Sequence, residues 1–155
     1  RRKTAKLFQA SPQLGAVLAN KGEDTEKALS AYGLHLGNAF QIMDDMLDYT
    51  ADAEKLGKNL GDDLAEGKPT LPLIQATATV KKNQAEFIKK TIKEVTRTAQ
   101  MDILSIIKST GSLAYTAEFA DKEAQKAIDA LRDIVDNDYK LAMEQLALFS
   151  IQRSH

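Results

Sequence analysis

Phe40-Gln41-Ile42-Met43-Asp44-Asp45-Met46-Leu47-Asp48-Tyr49 reads as helix, because Leu36, Phe40, Met43 and Leu47 recur at three-and-four spacing and make one apolar face. Ile42 and Met46 widen that face well round the side, as in a helix that is buried rather than laid on a surface. Three carboxylates share the same helix. Successive residues advance by about 100°, so Gln41, Asp45 and Asp48 fall within a narrow arc and Asp44 lies just beside it. Unpaired carboxylates in an apolar setting are costly and call for cations or protonation. A hard divalent ion such as Mg2+, held by a few carboxylates together with phosphate oxygens, meets that need. The competing reading is an exposed acidic patch on an amphipathic helix.

Upstream, residues 2 to 20 read as helix through Leu7, Phe8, Leu14, Val17 and Leu18. Ser11-Pro12 is expected as a kink or restart, and Asn20-Lys21-Gly22 as the end. Asp24 or Thr25 is placed to cap a long helix that runs to about Tyr49. From Thr50 to Thr70 the periodicity stops, and three of the eight glycines (Gly57, Gly61, Gly67) lie there among dense charge. The segment is expected to be a loop, with at most a short helical turn. Loops of this length inside a compact domain are usually functional or disordered, and its place directly after a carboxylate-bearing helix favours function. Lys58 and Lys68 each follow a glycine, which lets the backbone approach a ligand closely and aim the side chain.

Leu71 to Val80 reads as a short apolar helix with Pro72 in its first turn. Lys81 to Lys108 is a longer helical region with a break expected near Thr96 to Gln100, and Thr110-Gly111-Ser112 marks a stop and restart. Two further helices are predicted from Leu113 to Val135 and from Asp138 to Ile151, separated by Asp136-Asn137. No alternating strand pattern and no fixed-period repeat occurs. The expected fold is all-α, with long helices packed roughly antiparallel.

A chain of 155 residues fits one domain with a sizeable core. A hydrophobic content of 43% and a charged content of 28% are ordinary for a globular protein. The net charge of −1 gives no case for nucleic-acid or membrane binding, but it is unevenly placed. Residues 44 to 66 carry eight acidic side chains against Lys55 and Lys58, a local net of −6 that leaves +5 elsewhere. That concentration suggests a cation site. The absence of cysteine excludes disulfides and thiolate metal sites. The two histidines, His35 and His155, are too far apart in sequence to suggest a histidine-rich metal site, and neither is assigned a role. No apolar run reaches the length of a membrane span. Arg1-Arg2-Lys3-Thr4 is followed by no long apolar core, unlike a signal peptide. The chain is expected to open in the middle of an element, as a fragment would.

The run Gly37-Asn38-Ala39-Phe40-Gln41-Ile42-Met43-Asp44-Asp45-Met46-Leu47-Asp48-Tyr49, followed by Gly57-Lys58, Gly61-Asp62-Asp63 and Gly67-Lys68-Pro69-Thr70-Leu71-Pro72, is similar to the second aspartate-rich region of the trans-polyprenyl diphosphate synthases. Order and spacing agree together over essentially the whole chain. The likeness is greatest to the bacterial octaprenyl branch, which makes a quinone side-chain precursor. The family carries a first DDxxD on an earlier helix, and no second DDxxD occurs here. The resemblance therefore implies the C-terminal half of a single polyprenyl synthetase domain, within the isoprenoid-synthase helical bundle. It also implies a cytoplasmic enzyme, homodimeric in its full-length form, with no nucleic-acid partner.

The same resemblance implies roles for particular residues. Asp44, Asp45 and Asp48 match the family's second metal motif and would hold Mg2+. Lys58 and Lys68 match its two loop lysines beside the allylic diphosphate, and Lys58 and Asp44 would be catalytic. Lys3-Thr4 matches a lysine–threonine pair directed into the same cavity. Gln41 matches a glutamine that donates to phosphate, its alternative being a core amide satisfied by backbone. Asp62 and Asp63 match an acidic pair, expected to orient the lysines or cap a turn rather than bind metal. Phe40 would either steady a carbocation or pack the core, and Met43, Met46 and Leu47 are expected as core.

The implied reaction is head-to-tail elongation. The allylic carbon–oxygen bond breaks, the double bond of isopentenyl diphosphate attacks the cation, and a proton passes to the released pyrophosphate. Carboxylate-held metal, lysines and hydroxyls neutralise the departing charge. No side-chain base is required, in keeping with the lack of a nucleophile–histidine pairing. The first aspartate motif, the isopentenyl diphosphate site and the determinants of product length would lie outside this chain. The chain alone is thus expected to be inactive and to bare apolar helix faces. The alternative, from another class, is a non-catalytic helical partner or regulatory subunit of a complete synthase, against which the intact motif argues.

Overall fold

The computed structural model describes residues 2–50, 62–94 and 97–152, with side chains for 4–50, 63–92 and 101–152. These residues form α1 (Arg2–Leu18), α2 (Glu23–Thr50), α3 (Asp62–Ala65), α4 (Leu71–Thr79), α5 (Lys82–Glu94), α6 (Arg97–Ser109), α7 (Ser112–Ala130) and α8 (Asp138–Ile151). The fold is all-α, with no strand among the described residues. No helix among them is long and apolar enough to cross a membrane.

Two compact units divide the chain. One takes residues up to Met43 and from Glu118 onward, the other Asp44–Ala117. In the first unit, Tyr32, Leu36, Ala127, Leu131 and Ala147 form the buried core, with Phe8, Leu29, Ile128 and Met143 packed against it. The Tyr32 hydroxyl donates to the Met143 carbonyl at 2.9 Å, and burial pushes it up to about 12.

Pro12 does not break α1, contrary to the expected kink or restart. A proline cannot donate to the carbonyl four residues back, here that of Phe8. Gly33 of α2 comes in over that carbonyl: a Cβ on Gly33 would stand 2.1 Å from Phe8 O and 2.7 Å from Pro12 Cγ. One turn on, a Cβ on Gly37 would meet Phe8 Cβ at 2.8 Å and Ala5 Cα at 2.9 Å. The two glycines form the seat of α1.

The end of α1 is a Schellman motif. Lys21 N–H donates to Ala16 O at 3.2 Å and Asn20 N–H to Val17 O at 3.0 Å, with Asn20 left-handed at φ 50°. Helix α2 then starts at Glu23, ahead of the expected Asp24 or Thr25 cap, with Glu23, Asp24 and Glu26 in its first turn, where acidic groups favour the helix dipole.

In the second unit, Tyr49, Leu64, Leu73, Ala76, Ile88, Ile103, Leu104 and Ile107 are buried together, drawing on α2, α3, α4, α5 and α6. Of the break expected near Thr96 to Gln100, residues 97–100 are helical and 96 lies outside the described residues. Gly111, at φ 69°, makes the expected turn between α6 and α7.

Helix α7 is shorter than the predicted Leu113–Val135, ending at Ala130. From there the backbone tightens into three-residue turns, Leu131 N–H to Ile128 O and Ile134 N–H to Leu131 O, both at 3.0 Å. Lys140 reaches back from α8 to donate to Ile134 O and Asp136 Oδ1, each at 2.8 Å. These bonds tie the turn that follows α7 to the first turn of α8. Asn137 caps α8 itself, accepting from the N–H groups of Tyr139 and Lys140.

Candidate functional site

The second unit opens with the acidic end of α2. Asp44 is exposed and Asp48 half-buried, while Asp45 is 6% exposed and engaged with a partner. Asp48 Oδ2 accepts the backbone N–H of Asp63 at 3.1 Å. Asp63 lies in the first turn of α3, whose N–H groups have no partner within the helix. A carboxylate from α2 is therefore tied to the start of α3.

Helix α3 closes in its turn on Gly67. Lys68 N–H donates to Asp63 O at 2.9 Å and Gly67 N–H to Leu64 O at 3.0 Å, with Gly67 at φ 69°. That left-handed residue turns the chain so that Lys68 folds back on the helix it has just left. Its Nζ lies 2.5 Å from Asp63 Oδ1 and 2.8 Å from Glu66 Oε2. Hydrogen bonds to Asp63 and then Glu66 hold the Lys68 ammonium above its ordinary range. Asp48, Asp63 and Lys68 thus form a connected chain from the acidic helix to the loop lysine.

One residue beyond Asp48, the Tyr49 hydroxyl meets Thr70 Oγ1 at 2.5 Å in a buried pair. Thr70 opens α4 without using its side chain as a cap, because that hydroxyl is committed to Tyr49. Burial pushes the Tyr49 hydroxyl well above the usual phenol range. The Thr70 bond pulls it part of the way back, while Asp48, Asp63 and Asp45 push it further up. Two adjacent residues of α2 therefore tie down both ends of the segment 63–70. Neither Tyr49 nor Thr70 stands out in the sequence, since an aromatic after an acidic motif and a threonine before Leu-Pro have many ordinary uses.

The described residues contain no group of three or more acidic or histidine side chains close enough to hold a metal ion together. The expected trio Asp44, Asp45 and Asp48 is one helical segment rather than a closed cage. Its donors are all oxygen, which suits a hard cation that keeps one or two carboxylates and completes its shell from phosphate and water. Asp63 takes the orienting role expected of it, on Lys68; the side chain of Asp62 lies outside the described residues. Lys58 also lies outside them, and so does the side chain of Lys3, whose backbone is in α1. Thr4 and Gln41, both half-buried, belong to the first unit, and Gln41 is engaged with a partner. Phe40 packs on Phe8, with ring centroids 5.4 Å apart.

A polar cluster around the buried Glu123 of the first unit was not assigned from the sequence. His35 Nδ1 and Asn38 Nδ2 of α2 both lie 2.9 Å from Glu123 Oε2 of α7, and Lys126 Nζ donates to its Oε1 at 2.7 Å. Burial alone would raise the Glu123 carboxyl, but the hydrogen bonds from His35, Lys126 and Asn38 outweigh it and hold it below its ordinary value. A histidine and an asparagine three apart on an apolar helix were the available signal; the partner, 85 residues away from Asn38, was not.

The family model described as polyprenyl synthetase matches residues 1–110. The chain is 45% identical over 154 residues to octaprenyl diphosphate synthase of Haemophilus influenzae, covering 99% of this chain and 47% of that protein. It is 44% identical to octaprenyl diphosphate synthase of Escherichia coli, covering 97% of this chain and 47% of that one. Among solved structures, a polyprenyl synthase from Caulobacter crescentus, crystallised with calcium and isoprenyl diphosphate, superposes with a TM-score of 0.88 at 42% identity, over 97% of this chain and 47% of that one. The chain spans about half the length of the curated relatives it matches.

Proposed function

We propose that this chain, which belongs to the polyprenyl synthetase family, is the C-terminal half of a polyprenyl diphosphate synthase domain and supplies its second metal-binding wall. The observation that carries the reading is the chain of contacts from Asp48 through Asp63 to Lys68, which ties a phosphate-seeking lysine to the aspartate helix. The complete enzyme would condense isopentenyl diphosphate with an allylic prenyl diphosphate, yielding an octaprenyl-type quinone precursor. It would work in the cytoplasm as a homodimer.

Asp44, Asp45 and Asp48 are the residues that would hold Mg2+, and the ion would supply neutralising charge for the diphosphate leaving group. Lys68 is now paired with Asp63 and Glu66; an arriving phosphate oxygen would compete for its three donors and draw the ammonium across. Lys58, Lys3, Thr4 and Gln41 would donate to the remaining oxygens, so that charge developing as the carbon–oxygen bond breaks meets donors already in place. The chain alone would not turn over, having one carboxylate wall of two.

Titration of inorganic pyrophosphate into the chain by calorimetry tests this. Binding is expected only with Mg2+ present, to be lost in Asp44→Ala and weakened about tenfold in Lys68→Ala, the loss of a charge-assisted bond worth roughly 1.5 kcal/mol. Equal binding in Mg2+-free buffer, or by Asp44→Ala, would overturn the assignment.

A further inference from the structure

Residues two apart do not face one another on a helix, yet Glu66 and Lys68 meet as an ion pair at 2.8 Å. The left-handed Gly67 between them, at φ 69°, turns the second side chain back on the first. The backbone of Lys68 is held on both sides. Its N–H donates to Asp63 O and its carbonyl accepts Thr70 N–H, each at 2.9 Å. From that fixed point the side chain reaches outward and is 54% exposed.

The two carboxylates on the Lys68 ammonium differ. Asp63 is 20% exposed, and its backbone is tied to Asp48 through its own N–H. Glu66 is 64% exposed and lies just past the last residue of α3. One cation shared by two anions is a group of net negative charge, which repels an arriving anion. A phosphate therefore reaches Lys68 only by displacing a carboxylate. Glu66 is the one that leaves at small cost, because an exposed ion pair contributes little and its carboxylate returns to water.

We propose that Glu66 is a displaceable counter-anion that occupies Lys68 until a diphosphate arrives, while Asp63 stays on the ammonium throughout, an inference that rests on the half-domain reading above. Glu66 thereby restrains the affinity of the site. A diphosphate that brings Mg2+ to Asp44, Asp45 and Asp48 offsets the displacement, whereas a bare phosphate does not. As pyrophosphate leaves, the same carboxylate takes the ammonium back. Removing its charge should tighten binding, although the residue stands beside the ligand.

Calorimetric titration of pyrophosphate with Mg2+ into the parent chain, Glu66→Gln, Lys68→Ala and the double variant tests this. Glu66→Gln is expected to bind about twofold to fivefold more tightly than the parent, the range an exposed ion pair spans. In the Lys68→Ala background the same substitution is expected to change nothing. Glu118→Gln removes the charge from a comparable exposed pair, with Lys122 at 2.6 Å, and is expected to leave the affinity at the parent value. Unchanged or weaker binding by Glu66→Gln, beside a parent chain that does bind, would overturn the role of Glu66 and leave the half-domain reading standing. Tightening of equal size with and without Lys68 would overturn it too, since Glu66 would then act through its field alone. A parent chain that binds no pyrophosphate with Mg2+ present would sink the half-domain reading and this inference together.

Discussion

Tyr49 and Thr70 share a buried hydroxyl pair, and neither has water to fall back on. Tyr49→Phe keeps the ring in the core and strands the Thr70 hydroxyl, which is 3% exposed. An unsatisfied buried hydroxyl costs about 1–3 kcal/mol, so the urea midpoint should fall accordingly, with little change in the slope. Restoration by the double variant Tyr49→Phe, Thr70→Val would identify the stranded hydroxyl as the cause. The acidic motif, the loop lysine and the glycine that turns it were all legible in the sequence, because Gly-Lys and Asp-Asp spacing carry their chemistry locally. The Tyr49–Thr70 pair was not, because it joins residues 21 apart and depends on where α4 begins. Asp48 was read as a metal ligand only, and its bond to the Asp63 N–H was unforeseen for the same reason.

At the scale of the element, α1 rests on Gly33 and Gly37, so a methyl at either must displace the helix. Gly33→Ala would drive a Cβ into the Phe8 carbonyl, and overpacking of this kind costs about 1–3 kcal/mol. Gly15→Ala is the contrasting case: it lies in α1 with nothing within 4 Å of the added Cβ. There the gain in helix propensity is up to about 1 kcal/mol. Thermal melts of the two variants should therefore shift in opposite directions. The periodicity that marked both helices could not mark their contact, because Gly33 and Gly37 look like weak points in a helix until a partner fills the space.

The Glu123 cluster joins α7 to α2 and makes part of that junction sensitive to acid. Its folded carboxyl lies below the ordinary 4.5. Its contribution is therefore complete above about pH 4.5 and is lost as pH falls through the lowered folded value. Glu123→Gln should lower the melting temperature at neutral pH, and the gap to the parent protein should close in acid. A gap that stayed constant, or widened on acidification, would show that the carboxylate charge is not what holds the two helices.

On the scale of the whole molecule, the proposed half-domain reading would account together for the exposed apolar side chains and for an aspartate helix that faces no second acidic wall among the described residues. Leu18, Tyr139 and Phe149 stand 86%, 83% and 63% exposed. The all-α class followed from helical periodicity along the chain, whereas the division at Met43 and Asp44 falls inside the unbroken helix α2, where no sequence signal could mark it. The most direct measurement is Mg2+-dependent incorporation of labelled isopentenyl diphosphate onto farnesyl diphosphate. It compares the chain alone, the chain joined to the unmatched segment of the Haemophilus influenzae synthase, and the joined form carrying Asp44→Ala. The account predicts no turnover by the chain alone, turnover by the joined form, and a loss of about a hundredfold or more with Asp44→Ala, roughly 2.7 kcal/mol of transition-state stabilisation. Turnover by the isolated chain, or a joined enzyme indifferent to Asp44→Ala, would contradict it.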